Sequence, residues 1–138
     1  MIVLDASAAI EWLLQTATGG RVEARLFSRR VTLHAPHLLD LEIAQVLRRY
    51  VSSGIVTASR GRQALEDLLD LPLARYPHEL LLERIWELRN NLTAYDAAYL
   101  ALAEVLDAPL ITCDGKMAAA SGHHAVVEVV SIDPNPPI

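Results

Sequence analysis

Short apolar runs and longer stretches with helical periodicity take turns along this chain. Ile2-Val3-Leu4 is the first run, with two β-branched residues, and predicts a buried strand that ends at Asp5. Residues 6–15 are rich in helix formers and predict a helix. Gly19-Gly20 is expected to break the chain, and a second helix is expected over 22–30. Val31-Thr32-Leu33 predicts a second strand. Pro36 opens a long helix that runs from His37 to about Ser52 and stops at Gly54. Residues 58–71 predict another helix, ended by Pro72, and 73–76 a short strand. A helix over 79–89 is closed by Asn90-Asn91. Thr93 starts the next helix, which ends near Asp107 ahead of Pro109. Leu110-Ile111-Thr112 predicts a strand, 116–120 a short helix and 126–130 a last strand.

Strands that alternate with helices predict an α/β fold. We expect a three-layer α/β/α sandwich around a central, mostly parallel sheet of four or five strands. Neither a repeat nor a linker interrupts the pattern. One domain is expected over 1–132, followed by a tail at 133–138 that carries three prolines.

Composition narrows this picture. Hydrophobic residues make up 52% of the 138 positions, ample for one core and unlike a disordered chain. The one cysteine, Cys113, permits no intrachain disulfide. Residues 94–112 are the most apolar stretch, but Asp96, Glu104 and Asp107 interrupt it, so no membrane span is expected. Asp5 and Glu11 interrupt the first apolar run and no basic segment precedes it, so a signal peptide is not expected. The expected location is cytoplasmic. The formal charge of −5 argues mildly against a nucleic-acid partner, since such binders are usually basic. Acids gathered around a cation would make that balance misleading.

Four acids are candidates for such a cluster. In an open parallel sheet, ligands bind outside the carboxyl ends of the strands. Asp5 follows the first strand and Asp114 the strand at 110–112. Glu42 lies early in the helix after the second strand, and Asp96 in the first turn of the helix opened by Thr93. Each has a plainer reading. Asp5 and Asp114 suit helix N-caps, and Thr93-Ala-Tyr-Asp96 fits a capping box. Glu42 is harder to explain that way. It lies at the edge of the apolar stripe Leu39, Ile43, Val46, Leu47, where a carboxylate needs a partner. Asp96 enters a helix that is apolar nearly all round. Carboxylates brought together repel, and a divalent cation removes that cost. Oxygen-only ligands suit Mg²⁺ or Mn²⁺.

These residues resemble the PIN-domain family. Met-Ile-Val-Leu-Asp-Ala-Ser-Ala at 1–8 is similar to the opening of PIN domains. Pro36-His-Leu-Leu-Asp-Leu-Glu42 resembles their second motif, Leu92-Thr-Ala-Tyr-Asp-Ala-Ala-Tyr99 their third, and Leu110-Ile-Thr-Cys-Asp114 their fourth. The short single-domain form is most similar to VapC toxins of bacterial toxin–antitoxin pairs. The resemblance implies an endoribonuclease that uses metal-activated water to leave a 5′-phosphate and a 3′-hydroxyl. It also implies RNA as substrate, a small antitoxin as partner and a homodimer. Many relatives carry a further acid two residues after the fourth motif's Asp, and here that position is Lys116.

On this reading Asp5, Glu42, Asp96 and Asp114 are the expected catalytic and metal-holding acids, and Mg²⁺ or Mn²⁺ the expected cofactor. Ser7 and Thr112 are candidates to hold a carboxylate by a hydroxyl hydrogen bond. Arg48, Arg49 and Lys116 are candidates for RNA phosphate, against a plain reading as solvated helix ends. Cys113 reads as a small buried residue and His123-His124 as loop. Trp12 and Trp86 read as core or interface. A dehalogenase-type phosphatase would want an acid where Ser7 stands, and a dinucleotide-binding enzyme would want glycines after the first strand. The remaining alternative is a non-catalytic RNA- or protein-binding module on the same fold. Leu80-Leu81-Leu82 cannot all face one core, so apolar surface is expected at an interface.

Overall fold

Burial of the short apolar runs builds the sheet. In a computed structural model that describes residues 1–132, β1 (Ile2–Leu4) is wholly buried and pairs with β2 (Leu33–Pro36) and β4 (Leu110–Thr112). β3 (Leu73–Tyr76) adds to β2, and β5 (Val127–Val129) to β4. The order is β3-β2-β1-β4-β5 and every pairing is parallel. A central parallel strand has both faces covered, which is why β1, β2 and β4 carry no exposed position.

The helices are α1 (Ala6–Leu13), α2 (Ala17–Leu26), α3 (Leu38–Ser52), α4 (Ala58–Asp70), α5 (Leu82–Glu87), α6 (Ala94–Leu106) and α7 (Gly115–Ala119). α6 packs on β1, β2 and β4, with α5 outside it. α1 and α3 pack on β4 and β2, and α2 and α4 pack on those two helices. The expected α/β architecture is present, with five strands. α6 is buried at seven successive positions, Ala97 to Ala103, as its apolar circumference predicts. Among the described residues, side-chain caps start five helices: Asp5 on α1, Thr16 on α2, Thr57 on α4, Thr93 on α6 and Asp114 on α7.

Three expectations need correction. Gly19-Gly20 does not break the chain but lies inside α2, which starts at Ala17 under the Thr16 cap. A Cβ on Gly19 would stand 2.1 Å from the Glu11 carbonyl oxygen, so glycine here lets α2 lie against α1. The second strand is shifted: β2 shares only Leu33 with the apolar run 31–33 and continues to Pro36. His34 extends it because both ring nitrogens are bonded, to Thr32 Oγ1 at 2.8 Å and Tyr76 Oη at 2.7 Å. The helix expected over 79–89 is a 3₁₀ turn (His78–Leu81) followed by the short α5. Within the leucine triplet only Leu81 is buried. The expected tail at 133–138 lies outside the described residues.

Candidate active site

The carboxyl end of the sheet gathers the four acids from separate elements. Asp5 leaves β1 and caps α1, accepting from Ala8 N on Oδ1 at 3.0 Å. Ser7 Oγ donates to the same oxygen at 2.8 Å, and Thr112 Oγ1 donates to Oδ2 at 2.5 Å. Ser7 and Thr112 are therefore the side chains that hold Asp5. They are tied into the loop after β4 as well, because Ser7 Oγ accepts from Cys113 N and Thr112 Oγ1 from Asp114 N, both at 2.9 Å. Asp114 caps α7 through Lys116 N at 2.9 Å. Asp96 lies in the first turn of α6, where its amide donates to Thr93 Oγ1 at 3.2 Å. Glu42, in the second turn of α3, reaches across to α6 and accepts from Tyr99 Oη on Oε1 at 2.5 Å. Asp5, Thr93 and Asp114 thus have the capping roles of the plainer reading.

Electrostatics tie the cluster together. Burial pushes the Asp5 carboxyl up to about 6, despite hydrogen bonds from Thr112, Ala8 and Ser7 that pull it down, and Asp114 adds to the rise. Burial also raises Glu42, with Asp96 contributing. Asp96 is raised by burial and then by Asp114, while Lys116 works in the other direction. The acids therefore feel one another pairwise, and Lys116 is a cation that Asp96 feels. Among the described residues, no three acidic, histidine or cysteine side chains form a ready-made ligand shell. Asp5 has both oxygens turned to protein donors, and uncompensated carboxylates have no reason to close up. The donor chemistry itself fits a hard divalent cation: oxygen ligands only, partly desolvated and short of positive charge.

A cavity of about 650 Å³ opens beside Glu42, between α1, α3 and the start of α6. Ser7, Glu42, Tyr95 and Arg49 line it, with Ile10 and Val46 as apolar wall. Arg49 stands two turns beyond Glu42 on the same face of α3, whereas Arg48 does not line the cavity. Glu11 lines it too, but its carboxylate is engaged by Thr16 Oγ1.

Other residues take structural places. Cys113 is buried, and burial pushes its thiol up to about 12, far from a reactive thiolate. His123 accepts from Ala125 N in a loop. Trp12 packs on Phe27 with ring centroids 5.4 Å apart. Trp86 is exposed beneath the Arg89 guanidinium. Tyr99 is the site residue that sequence reasoning missed. Its signal was a phenol on a helix otherwise buried all round, where a hydroxyl must find a partner.

A family model described as PIN domain matches residues 2–122. The chain belongs to the PIN domain family. It is 43% identical over 131 residues to Ribonuclease VapC12 of Mycobacterium tuberculosis, a match that covers 95% of this chain and all of that protein. With Ribonuclease VapC9 of the same organism the identity is 44% over 130 residues, or 94% of this chain and 98% of that one. Among solved structures, the fold is similar to that of Mycobacterium tuberculosis VapC20, a Sarcin-Ricin loop cleaving toxin. The TM-score is 0.67 at 19% identity, over 91% of this chain and 98% of that one.

Proposed function

We propose that this protein is a metal-dependent endoribonuclease, the toxin of a toxin–antitoxin pair. What supports the reading is the pairwise electrostatic coupling of Asp5 to Asp114, Asp114 to Asp96 and Asp96 to Glu42 at the sheet's carboxyl end, with Glu42 on a groove that Arg49 also lines. The names of the similar proteins, Ribonuclease VapC12 and Ribonuclease VapC9, support RNA as the substrate.

Asp5, Asp96 and Asp114 hold Mg²⁺ or Mn²⁺, in part through water, as a small hard cation prefers. Glu42 either joins them or orients the attacking water. When bound, the ion lowers the pKa of a coordinated water and offsets charge on the phosphate. Ser7 and Thr112 keep Asp5 in place, ordering its carboxylate before a cation arrives. Arg49, and Lys116 beside Asp96, supply positive charge for the RNA backbone. Attack by water at the phosphorus with departure of the 3′-oxygen, which takes up a proton, leaves a 5′-phosphate and a 3′-hydroxyl. The apolar wall of the groove suits a segment of the antitoxin, and a second copy of the chain completes a homodimer.

RNA cleavage by the purified protein tests this. We expect Mn²⁺-supported cleavage that a chelator abolishes and that Asp96→Asn loses, with the fold intact by circular dichroism. Cleavage by Asp96→Asn at the wild-type rate would refute the mechanism. RNA binding without cleavage by the wild type would favour the non-catalytic module instead. In the same assay, Arg49→Ala should weaken binding about equally across RNA sequences and flatten its salt dependence. An unchanged slope removes Arg49 from the phosphate path.

A further inference from the structure

Tyr99 stands among the acids, yet the chemistry proposed above leaves it without a task. It lies one turn beyond Asp96 on α6 and is 2% exposed. Its hydroxyl donates to Glu42 Oε1 at 2.5 Å and so links α6 to α3. The phenol feels Glu42, Asp5 and Asp96 at once. Burial, followed by the hydrogen bond to Glu42 and these negative neighbours, drives its ionisation far above the ordinary tyrosine range. The hydroxyl has one hydrogen to give, and Glu42 receives it.

Asp5 and Glu42 are held very differently. Asp5 has three donors spread over both oxygens. Among the described residues, Tyr99 is the hydrogen-bond donor to Glu42, and it occupies one oxygen. Glu42 has a long, rotamer-rich side chain beside an open cavity, and Asp96 repels it. Without an anchor it would swing toward solvent. A hydrogen bond to a charged acceptor is about twice as strong as a neutral one, enough to select one rotamer.

We propose that Tyr99 is a positioning residue for the metal site: its hydroxyl pins one Glu42 oxygen and leaves the other for the cation or its water. The proposal rests on the metal-dependent ribonuclease reading. It assigns to a buried phenol of α6 the part that Ser7 and Thr112 play for Asp5. Tyr99 touches neither RNA nor cation. Its effect reaches both through Glu42 alone, and that separates it from a core tyrosine that merely fills space.

The test compares wild type, Tyr99→Phe, Glu42→Gln and the double variant. Mn²⁺ affinity is read by electron paramagnetic resonance, and kcat and KM from RNA cleavage. Tyr99→Phe is expected to weaken Mn²⁺ binding and lower kcat by about 10–100-fold, the usual cost of losing a partner behind a metal ligand. The KM for RNA should stay close to that of wild type. In the Glu42→Gln background, the same change should cost less than about twofold, because the two residues act as one unit. Wild-type Mn²⁺ affinity and kcat in Tyr99→Phe would overturn the proposal and leave the ribonuclease reading standing. Full additivity with Glu42→Gln would overturn it too, since Tyr99 would then act by another route. A wild-type protein that takes up no Mn²⁺ overturns both readings. Should Tyr99→Phe fail to fold, 3-fluorotyrosine at 99 keeps the shape and strengthens the donor. A shifted Mn²⁺ affinity then supports the proposal, and an unshifted one overturns it.

Discussion

At the scale of single residues, Asp5 shows what the site costs the fold. It is 4% exposed, and burial raises its carboxyl to about 6. An unfolded aspartate titrates near about 4. Between those values the folded chain holds a proton that the unfolded chain has lost. The contribution of this group to stability is therefore largest below about pH 4 and is lost as pH rises through about 6. The loss is on the order of 3 kcal/mol at most. Glu128, held below its usual range by Arg25, has the opposite slope, so the whole-protein profile mixes the two. Asp5→Asn isolates the term. Without divalent cations, the variant should be at least as stable as wild type at pH 7. Its advantage should shrink toward pH 4, as read by thermal melts. Adding Mg²⁺ at pH 7 should raise the melting point of wild type more than that of the variant. A difference between the two proteins that ignores pH would show that burial of Asp5 is not the cause. Asp5, Asp96 and Asp114 were legible as candidates because each sits at a local landmark, after a strand or in a first helical turn, and Glu42 because a carboxylate stood at the edge of an apolar stripe. Tyr99 was not, because its partner is 57 residues away and only the tertiary fold brings the two side chains together.

At the scale of elements, most strands and helices were legible from periodicity and punctuation. The exceptions share a cause. Gly19-Gly20 reads as a breaker when only local propensity is considered, but α2 is set by its Thr16 cap and by contact with α1. The two glycines make opposite predictions. Gly19→Ala would drive a Cβ into the Glu11 carbonyl, so the helices must separate, at a cost of about 1–3 kcal/mol. Gly20→Ala meets nothing within 4 Å and should be neutral or stabilise by about 0.5–1 kcal/mol, since glycine is a poor helix former. Urea denaturation of both variants checks this. Equal effects at the two positions would mean that α1 and α2 are not packed this closely. β2 was misplaced for the same kind of reason. His34 looks polar in sequence, and its partner Tyr76 lies on the neighbouring strand β3. Where a residue's partner is local, sequence places it; where the partner is tertiary, the reading slips by a few residues.

At the scale of the whole molecule, apolar side chains at the start of α3, on and before α5 and at the start of α6 stay uncovered. Leu41, Leu82 and Tyr95 are 72%, 53% and 62% exposed around a cavity of about 390 Å³, with Leu80 and Trp86 exposed close by in the chain. A patch of this kind usually marks an interface. It adjoins the larger groove, because Leu38, Leu41 and Tyr95 line both cavities. The proposed homodimer accounts for it most simply: a two-fold contact presents the same patch on both copies, so each covers the other. Light scattering at micromolar concentration should then give about twice the 15.2 kDa chain mass. Leu41→Glu with Leu82→Glu places like charges against each other across such an axis and should yield monomers. Val105→Glu, at the far end of α6 and equally exposed, should leave the dimer intact. A monomeric wild type would count against the dimer. A dimer that survives the paired change would place the contact on another face. Because the two cavities share residues, a partner segment in the larger groove would meet the dimer contact at Leu41 and Tyr95. The paired variant should then weaken capture of a co-expressed antitoxin as well as self-association. Unchanged capture would place the antitoxin deeper, against Ile10 and Val46 rather than at the shared rim.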